Sequence, residues 1–401
     1  MHESLRESTT NAPVRAFPIA AVTFLCSLGT GILWNSIYFV AKSAYGFTQT
    51  DNLWLAFANG ALYMIVAMNA GRIVRALERH MSPRRALALI LLAQGVLAPI
   101  VLLVPHVMTL WICAVTMMAF GALQWPIIQH YLVSGRHGAS MRNAIGWWNA
   151  SWMSATAIGL ALTGPLEAAG LLNYAIPSML PILLAAMCFL LAFPEHPARH
   201  EATLHAASVP SSYGPLLRAS RVLHPMGYLV IGALSPVLPY LFAGLSTAEQ
   251  WHAPISSTWH VARLLSVLIL WQTVFWHGRG VTLVVSGILL SAGFTLAALS
   301  GSEMTLIIGL TALGLGQGAI YYNAIYYAMA VGAAEVEAGG THEALVGAGY
   351  LTGPMLGLIA AAAGAGTPVF IALVLGVLLV GGIYACLRMV RSASESDASL
   401  N

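Results

Sequence analysis

The chain has 401 residues, of which 58% are hydrophobic and 8% charged, and its formal net charge is +3. Soluble domains carry about 25% charged residues, so the composition excludes a water-soluble fold of this size. The small net charge gives no indication of a nucleic-acid partner. We expect an all-α polytopic membrane protein, since helices satisfy their own backbone hydrogen bonds in lipid and the alternation typical of barrel strands is absent.

Twelve apolar runs are long enough to cross a bilayer, which needs ~20 residues per helix. They cover 17–41, 52–71, 86–104, 107–133, 143–166, 174–194, 222–245, 255–276, 280–299, 303–331, 343–364 and 367–389. The polar tail 1–16 has no cleavage site typical of a signal peptide, so we expect it to be retained. The longest polar stretch, 195–221, separates six spans from six and predicts bundles at 17–194 and 222–390, with a second tail at 391–401.

The distribution of positive charge predicts the orientation. If both termini and the linker are cytoplasmic, 15 of the 17 Lys and Arg residues fall on the cytoplasmic side. The outer loops receive only Lys42, and the remaining cation, Arg263, lies inside the eighth span. Cytoplasmic loops are typically rich in Lys and Arg, so this asymmetry supports the twelve spans and a multi-pass protein of the inner (cytoplasmic) membrane.

The two halves of the chain contain similar segments. GALQWPIIQHY at 121–131 in the fourth span corresponds to GAIYYNAIYYA at 318–328 in the tenth. TGPL at 163–166 in the fifth span corresponds to TGPM at 352–355 in the eleventh. Each pair occupies the same place in its half, which favours an ancient duplication.

The layout of six plus six spans, the central linker and two short motifs resemble the major facilitator superfamily of secondary transporters. The resemblance covers about 17–390. It implies two pseudo-symmetric six-helix bundles around a central cavity, working by alternating access. The chain would then be a secondary active or facilitative transporter of a small organic solute, with or without a coupling proton or ion. We expect a monomer in the lipid bilayer and no enzyme activity, cofactor, catalytic residue or bound metal.

The first motif is NAGRIVRALERHMSPRRALA at 69–88, between the second and third spans. It resembles G-x-x-x-D-R/K-x-G-R/K-R/K, which in this superfamily holds the inner gate by charge pairing. Gly71 begins the match and Arg84 and Arg85 end it, but Arg75 stands where the family has Asp. We expect either a gating segment or a basic anchor that fixes orientation, since Arg near an anionic leaflet is favoured by about 1 kcal/mol.

The second motif resembles the G-x8-G-x3-G-P-x2-G-G pattern that many exporters carry in their fifth span. Gly353 and Pro354 lie in the better match, in span eleven, and Gly164 and Pro165 lie in span five. The resemblance implies hinge positions and slightly favours export, while close helix packing explains the same residues equally well. Drug-like efflux by antiport therefore stays open, as does a non-transporting membrane sensor or assembly protein of this fold.

Polar groups inside the apolar spans are the candidates for substrate binding. Arg263 lies in span eight, where a central Arg costs ~2.5–3.5 kcal/mol, and His260 lies on the same helical face. We expect Arg263 to bind an anionic or carbonyl-bearing substrate with His260 as a second donor or proton-sensitive group, or else to snorkel or pair with helix carbonyls. The uncharged candidates suit a ligand with polar edges and an apolar face. They are Trp34, Asn35, Gln124, Tyr322 and Asn323.

The spans contain no acidic residue near their middle, since Glu343 is placed at the start of the eleventh span. This weakens the case for proton coupling through a carboxylate. Coupling through His130 or His260, or facilitated diffusion, remains open.

Overall fold

The structure, a computed structural model, describes residues 12–198, 210–331 and 336–398, except for the side chains at 32–35, 173, 336–337 and 390–398. The described residues form helices joined by short loops, with no strand among them. The α-helices are α1 (Ala16–Tyr45), α2 (Gln49–Met68), α3 (Ala70–Glu78), α4 (Pro83–Leu103), α5 (Val107–Val133), α6 (Gly138–Ala168), α7 (Leu172–Ala175), α8 (Met179–Phe189), α9 (Tyr213–Leu234), α10 (Leu238–Leu241), α11 (His252–Ser256), α12 (Thr258–Gln272), α13 (Val281–Ala298), α14 (Glu303–Val331), α15 (Val336–Ala362) and α16 (Thr367–Ala398).

Each predicted span coincides with a helical segment. Among the described residues, eight segments are long and apolar enough to cross a membrane, and ten are if each of two bent pairs counts as one span. The bent pairs are α2 with α3, at 56°, and α9 with the segment that begins at α10, at 46°. The two other predicted spans are α6, which is rich in Ser, Thr and Asn, and the shorter apolar segment that contains α8.

Several helices extend beyond the predicted spans. α9 begins at Tyr213, so the end of the predicted linker 195–221 is helical, while 199–209 lie outside the described residues. α15 begins at Val336, seven residues before its predicted span, and Glu343 therefore lies two turns inside a helix. Hydropathy marks the apolar part of a helix, and the hydrogen-bond ladder continues into polar residues beyond it.

The helices of each half pack on one another. In the first half, α1 lies against α6 and α8, and α5 lies against α2 and α4. In the second half, α14 lies against α12 and α13, and α9 lies against α15 and α16. Two seams join the halves: α2 packs against α15, and α6 packs against α12. The bounds of the two bundles and of the tails remain predictions.

Glycines let α15 approach helices on two sides. A Cβ atom at Gly60 of α2 would lie 2.4 Å from the backbone of α15, and one at Gly347 would lie 2.6 Å from the Cα of Met64. On the other side, a Cβ at Gly353 would lie 2.2 Å from the carbonyl oxygen of Leu229 in α9. Side chains do not fit at these points, so the backbones are in direct contact.

The start of the described chain and Met389, near its end, lie at one end of the helical bundle, which we call the terminal face; Met389 lies against Gly280, in the loop that follows α12. The loop before α6 lies beside the start of the chain, where a Cβ at Gly135 would be 3.7 Å from Pro13. The Trp271 indole at the end of α12 donates to the Asn143 side chain at the start of α6, over 3.2 Å. Lys42 lies at the opposite end of α1, the far face. The assignment of the terminal face to the cytoplasm remains a prediction.

The basic pair of segment 69–88 is held by the first half of the protein. Arg84 donates to the Phe193 carbonyl over 2.9 Å and pairs with the Glu195 carboxylate. Arg85 Nε lies 3.6 Å from Glu195 Oε2, and the Ser82 hydroxyl also donates to this carboxylate. These contacts fasten the start of α4 to the end of the sixth span. They support an anchor and give no support to a gate between the halves.

The other two predicted gating residues of this segment lie in α3. Gly71 is buried and Arg75 is exposed. α3 packs against α15 of the second half, so this part of the segment does reach across the seam. A gating role for Gly71 and Arg75 remains a prediction.

The contacts of Glu195 predict a pH-dependent contribution to stability. The hydrogen bond from Ser82, with Arg84 and Arg85 nearby, holds the pKa of Glu195 below its ordinary value. A lowered pKa stabilises the fold above the unfolded pKa of about 4.3, and that stabilisation is lost as the pH falls through the folded value. We therefore expect Glu195→Gln to lower Tm from pH ~7 down to pH ~5, and the difference from wild type to shrink as the pH falls below ~4 towards ~3.

The measurement is thermal unfolding of both proteins in detergent across this pH range. Glu249→Gln, at an exposed carboxylate of the far face, controls for loss of charge alone. A difference in Tm that is the same at every pH would contradict the ionic role of Glu195.

Backbone contact also predicts unequal effects of the same substitution within α13. A Cβ at Gly293 would lie 2.2 Å from the Leu313 nitrogen of α14, whereas one at Gly287 meets no atom within 4 Å. We expect Gly293→Ala to lower the free energy of unfolding by about 1–3 kcal/mol, as overpacking does. Gly287→Ala, which meets no neighbour, should leave it unchanged or raise it by up to about 1 kcal/mol, since Ala favours a helix over Gly. Equal Tm values for the two variants would contradict close packing of α13 on α14.

Candidate functional site

A cavity of about 140 Å³ lies between the two halves. Contacts between α6 and the second half lie on both sides of it along the helix axes. Asn143 contacts Trp271 near the terminal face, and a Cβ at Gly164 would lie 2.3 Å from the Gln250 carbonyl oxygen near the far face. Four Trp and four Tyr side chains line the cavity, with amide, hydroxyl and charged groups among them. Such walls suit a small organic ligand with polar groups.

Arg263 lies on this cavity and is only 2% exposed. Its guanidinium carbon is 4.3 Å from the ring centroid of Trp152 and 4.7 Å from that of Tyr321. Nη2 donates to the Tyr228 hydroxyl over 2.7 Å, while Nε has no hydrogen-bond partner. Among the described residues, Arg263 forms no ion pair with a carboxylate. Ring faces stabilise a desolvated cation by about 2 kcal/mol or more but leave its N–H donors available.

The glycine-rich run GLGQG in α14 positions Arg263. A Cβ at Gly314 would lie 2.2 Å from the Trp259 carbonyl oxygen, and one at Gly318 would lie 2.6 Å from that of Arg263. These two glycines therefore bring the backbone of α12 against α14. Tyr321 lies on the same face of α14, about one turn after Gly318, and so reaches the guanidinium.

His260 faces the cavity about one turn before Arg263. Its Nδ1 lies 3.3 Å from the Thr156 hydroxyl of α6, so this contact joins the two halves. The imidazole also packs on the neighbouring Trp259 ring, with centroids 3.6 Å apart.

Glu343 is the charged cavity residue that the sequence did not identify. It is 4% exposed and lines the same cavity from α15. Its carboxylate accepts from the Tyr63 hydroxyl over 2.5 Å and from the Gln129 amide over 2.6 Å, and both donors belong to the first half. The structure therefore corrects the placement of Glu343 at the start of its span: the residue lies two turns inside α15 and its carboxylate lines the cavity. Its Gly-, Thr- and His-containing surroundings lower the local hydropathy, which moved the predicted start of the span to this residue.

The structure brings Gln124 to the cavity but not Tyr322 or Asn323. The side-chain oxygen of Gln124 has no hydrogen-bond partner. Tyr322 is fully buried against Trp276, with ring centroids 5.6 Å apart, and Asn323 donates to the Ala319 carbonyl of its own helix over 2.8 Å. Neither side chain lines the cavity. The side chains of Trp34 and Asn35 lie outside the described residues.

The two TGP segments make different contacts. Gly164 touches the second half through Gln250, whereas Gly353 touches α9 of its own half through Leu229. Pro165 and Pro354 each lie inside a helix, α6 and α15 respectively. Roles for these four residues as hinges remain predictions.

No family model and no curated protein sequence matches this chain. Solved structures do match it over nearly the full length. The human organic anion transporter MFSD10 aligns with a TM-score of 0.71 and 13% identity over 92% of this chain and 98% of that one. A structure from work on proton dependent oligopeptide transporters aligns with a TM-score of 0.69 and 11% identity, over 94% of this chain and 98% of that one. The transporter FucP in its outward conformation aligns with a TM-score of 0.62 and 14% identity, over 93% of this chain and 99% of that one.

Likeness at these identities concerns the fold. The helical segments, the two packed halves and the central cavity agree with it. The protein is thus a multi-pass membrane protein with the fold of the major facilitator superfamily.

Proposed function

We propose that this protein is a transporter that moves a small organic anion across the cytoplasmic membrane by alternating access, with Arg263 as the anchor of the anion. The observation that carries the proposal is the state of Arg263, a buried cation with an unpartnered Nε in a cavity between two halves. Its planar fork of N–H donors matches a carboxylate in geometry and charge. A ligand carboxylate would supply the counter-charge that the described residues do not place against it.

The structural neighbours support transport of small organic solutes. One is an organic anion transporter, another is the E. coli fucose:proton symporter FucP, and a third belongs to the proton dependent oligopeptide transporters. These descriptions apply to those proteins. They support the class of function, and the anchor proposed above comes from the residues of this chain.

Alternating access requires contacts between the halves that can open on one side of the cavity at a time. At the terminal face, Trp271 packs on Trp147 with centroids 5.3 Å apart and donates to Asn143. At the far face, Lys42 Nζ donates to the Pro239 carbonyl over 2.6 Å, and its ammonium lies 5.2 Å from the Tyr240 ring. We propose that the first contact closes the cytoplasmic gate and the second closes the outer gate.

The anchor is tested by Arg263→Gln in reconstituted vesicles. Loss of a buried charge partner typically costs 2–5 kcal/mol, so we expect counterflow of radiolabelled benzoate to fall by at least about tenfold. Arg279→Gln makes the same change of charge at an exposed loop position and should leave counterflow unchanged. Equal flux through Arg263→Gln and wild type would contradict the anchor.

The gates are tested by cavity labelling from each side of oriented vesicles. A cysteine at Gln124, in a protein without its four native cysteines, reports access to the cavity. We expect Trp271→Ala to increase maleimide labelling from the terminal face and Lys42→Met to increase it from the far face. The assignment would be contradicted if labelling increased from the far face in Trp271→Ala and from the terminal face in Lys42→Met, or if it increased in neither variant.

A further inference from the structure

We propose that the transported molecule is a zwitterion with an apolar, preferably aromatic, body, whose carboxylate binds Arg263 and whose ammonium group binds Glu343. This inference rests on the proposed transport function and names the substrate class for the same cavity. It starts from two opposite charges that share one cavity without forming an ion pair.

The cavity has a pole that only donates hydrogen bonds. Arg263 has five N–H donors and no acceptor. One donor is used by Tyr228, and Nε is buried with no partner. A ligand group at this pole must therefore accept hydrogen bonds, and an anion satisfies both the donors and the charge.

The second pole is the carboxylate of Glu343, whose oxygens accept hydrogen bonds when it is ionised. An ionised carboxylate accepts about four hydrogen bonds, and Glu343 receives one from Tyr63 and one from Gln129. Gln94 and Gln124 line the same cavity, and their side-chain oxygens are further acceptors that are buried without a partner. A ligand group here must donate several hydrogen bonds, as an ammonium group does.

Charge balance favours one ligand that reaches both poles. A plain anion at Arg263 leaves the buried charge of Glu343 without a counter-ion, and a plain cation at Glu343 leaves that of Arg263. A zwitterion compensates both and requires no proton. A proton on Glu343 is the competing way to balance a plain anion, and it predicts a different preference among ligands.

The wall of the cavity indicates the body of the ligand. Trp125, Trp148 and Trp152 follow one another along the first half, with ring centroids 6.3 and 6.4 Å apart. A flat apolar body gains contact with such rings by stacking or edge-to-face packing. Together with the two poles, this favours aromatic amino acids over small polar ones.

The test compares each zwitterion with relatives that lack one charge. Phenylalanine is matched with hydrocinnamate and phenethylamine, and para-aminomethylbenzoate with para-toluate and para-methylbenzylamine. The two series differ in the distance between the charged groups, so spacing alone does not decide the result. In thermal-shift titrations of the full-length protein, we expect at least one zwitterion to bind about tenfold more tightly than both of its relatives.

Substitutions assign the two poles. Glu343→Gln should remove the advantage of the zwitterion over the carboxylate-only ligand, and Arg263→Gln should remove its advantage over the amine. Tyr63→Phe deletes a donor to Glu343 but keeps the carboxylate, so it should retain the preference. Retention of that preference in Glu343→Gln would overturn the inference.

The wild-type protein alone also decides between the proposals. If para-toluate or hydrocinnamate binds as tightly as its zwitterion, the zwitterion inference fails while the anion-transport proposal stands. If none of the six ligands binds, both fail. Neither result depends on the folding of a variant.

Discussion

The compensation of buried charge is the constraint on which this structure depends. Outside water, an ionised side chain needs a partner or a ring face, and the two charged groups at the central cavity find different ones. Arg263 is held by the rings of Trp152 and Tyr321 and the hydroxyl of Tyr228. Glu343 is held by hydrogen bonds from the opposite half. The residues proposed to bind the ligand and the residues that join the halves therefore overlap.

Close helix packing makes that compensation possible. Apolar side chains gain little from leaving lipid for protein, so contact between backbones carries much of the association of helices. Gly314 and Gly318 bring α12 against α14 and set the distance from Tyr321 to the guanidinium. Gly60 and Gly347 do the same for α2 and α15, next to the hydrogen bonds of Glu343.

The sequence predicts the features that the bilayer determines, namely the membrane spans. It does not predict the features that depend on the rotation of a helix or on contacts between distant residues. Apolar length and the placement of Arg gave the spans and the two halves. The alignment of the two halves points to Tyr322 and carries no information on the rotation of α14, whereas Gly314, Gly318 and Tyr321 share one face by helical spacing. The partner of Arg84 and Arg85 is Glu195, more than a hundred residues away, and no local motif indicates it. Glu343 was missed because hydropathy ended the span where the helix continues.

The seam between α2 and α15 has a mechanical consequence. Where side chains of two helices interdigitate, they must separate before the helices can move past each other. The contacts at Gly60 and Gly347 are instead made largely by backbone atoms. Such a contact opposes rotation of one helix against the other only weakly, so the two halves can rotate about it. Under the proposed alternating access, Tyr63 and Gln129 would move with one half and Glu343 with the other, so the hydrogen bonds of this carboxylate would change with the angle between the halves.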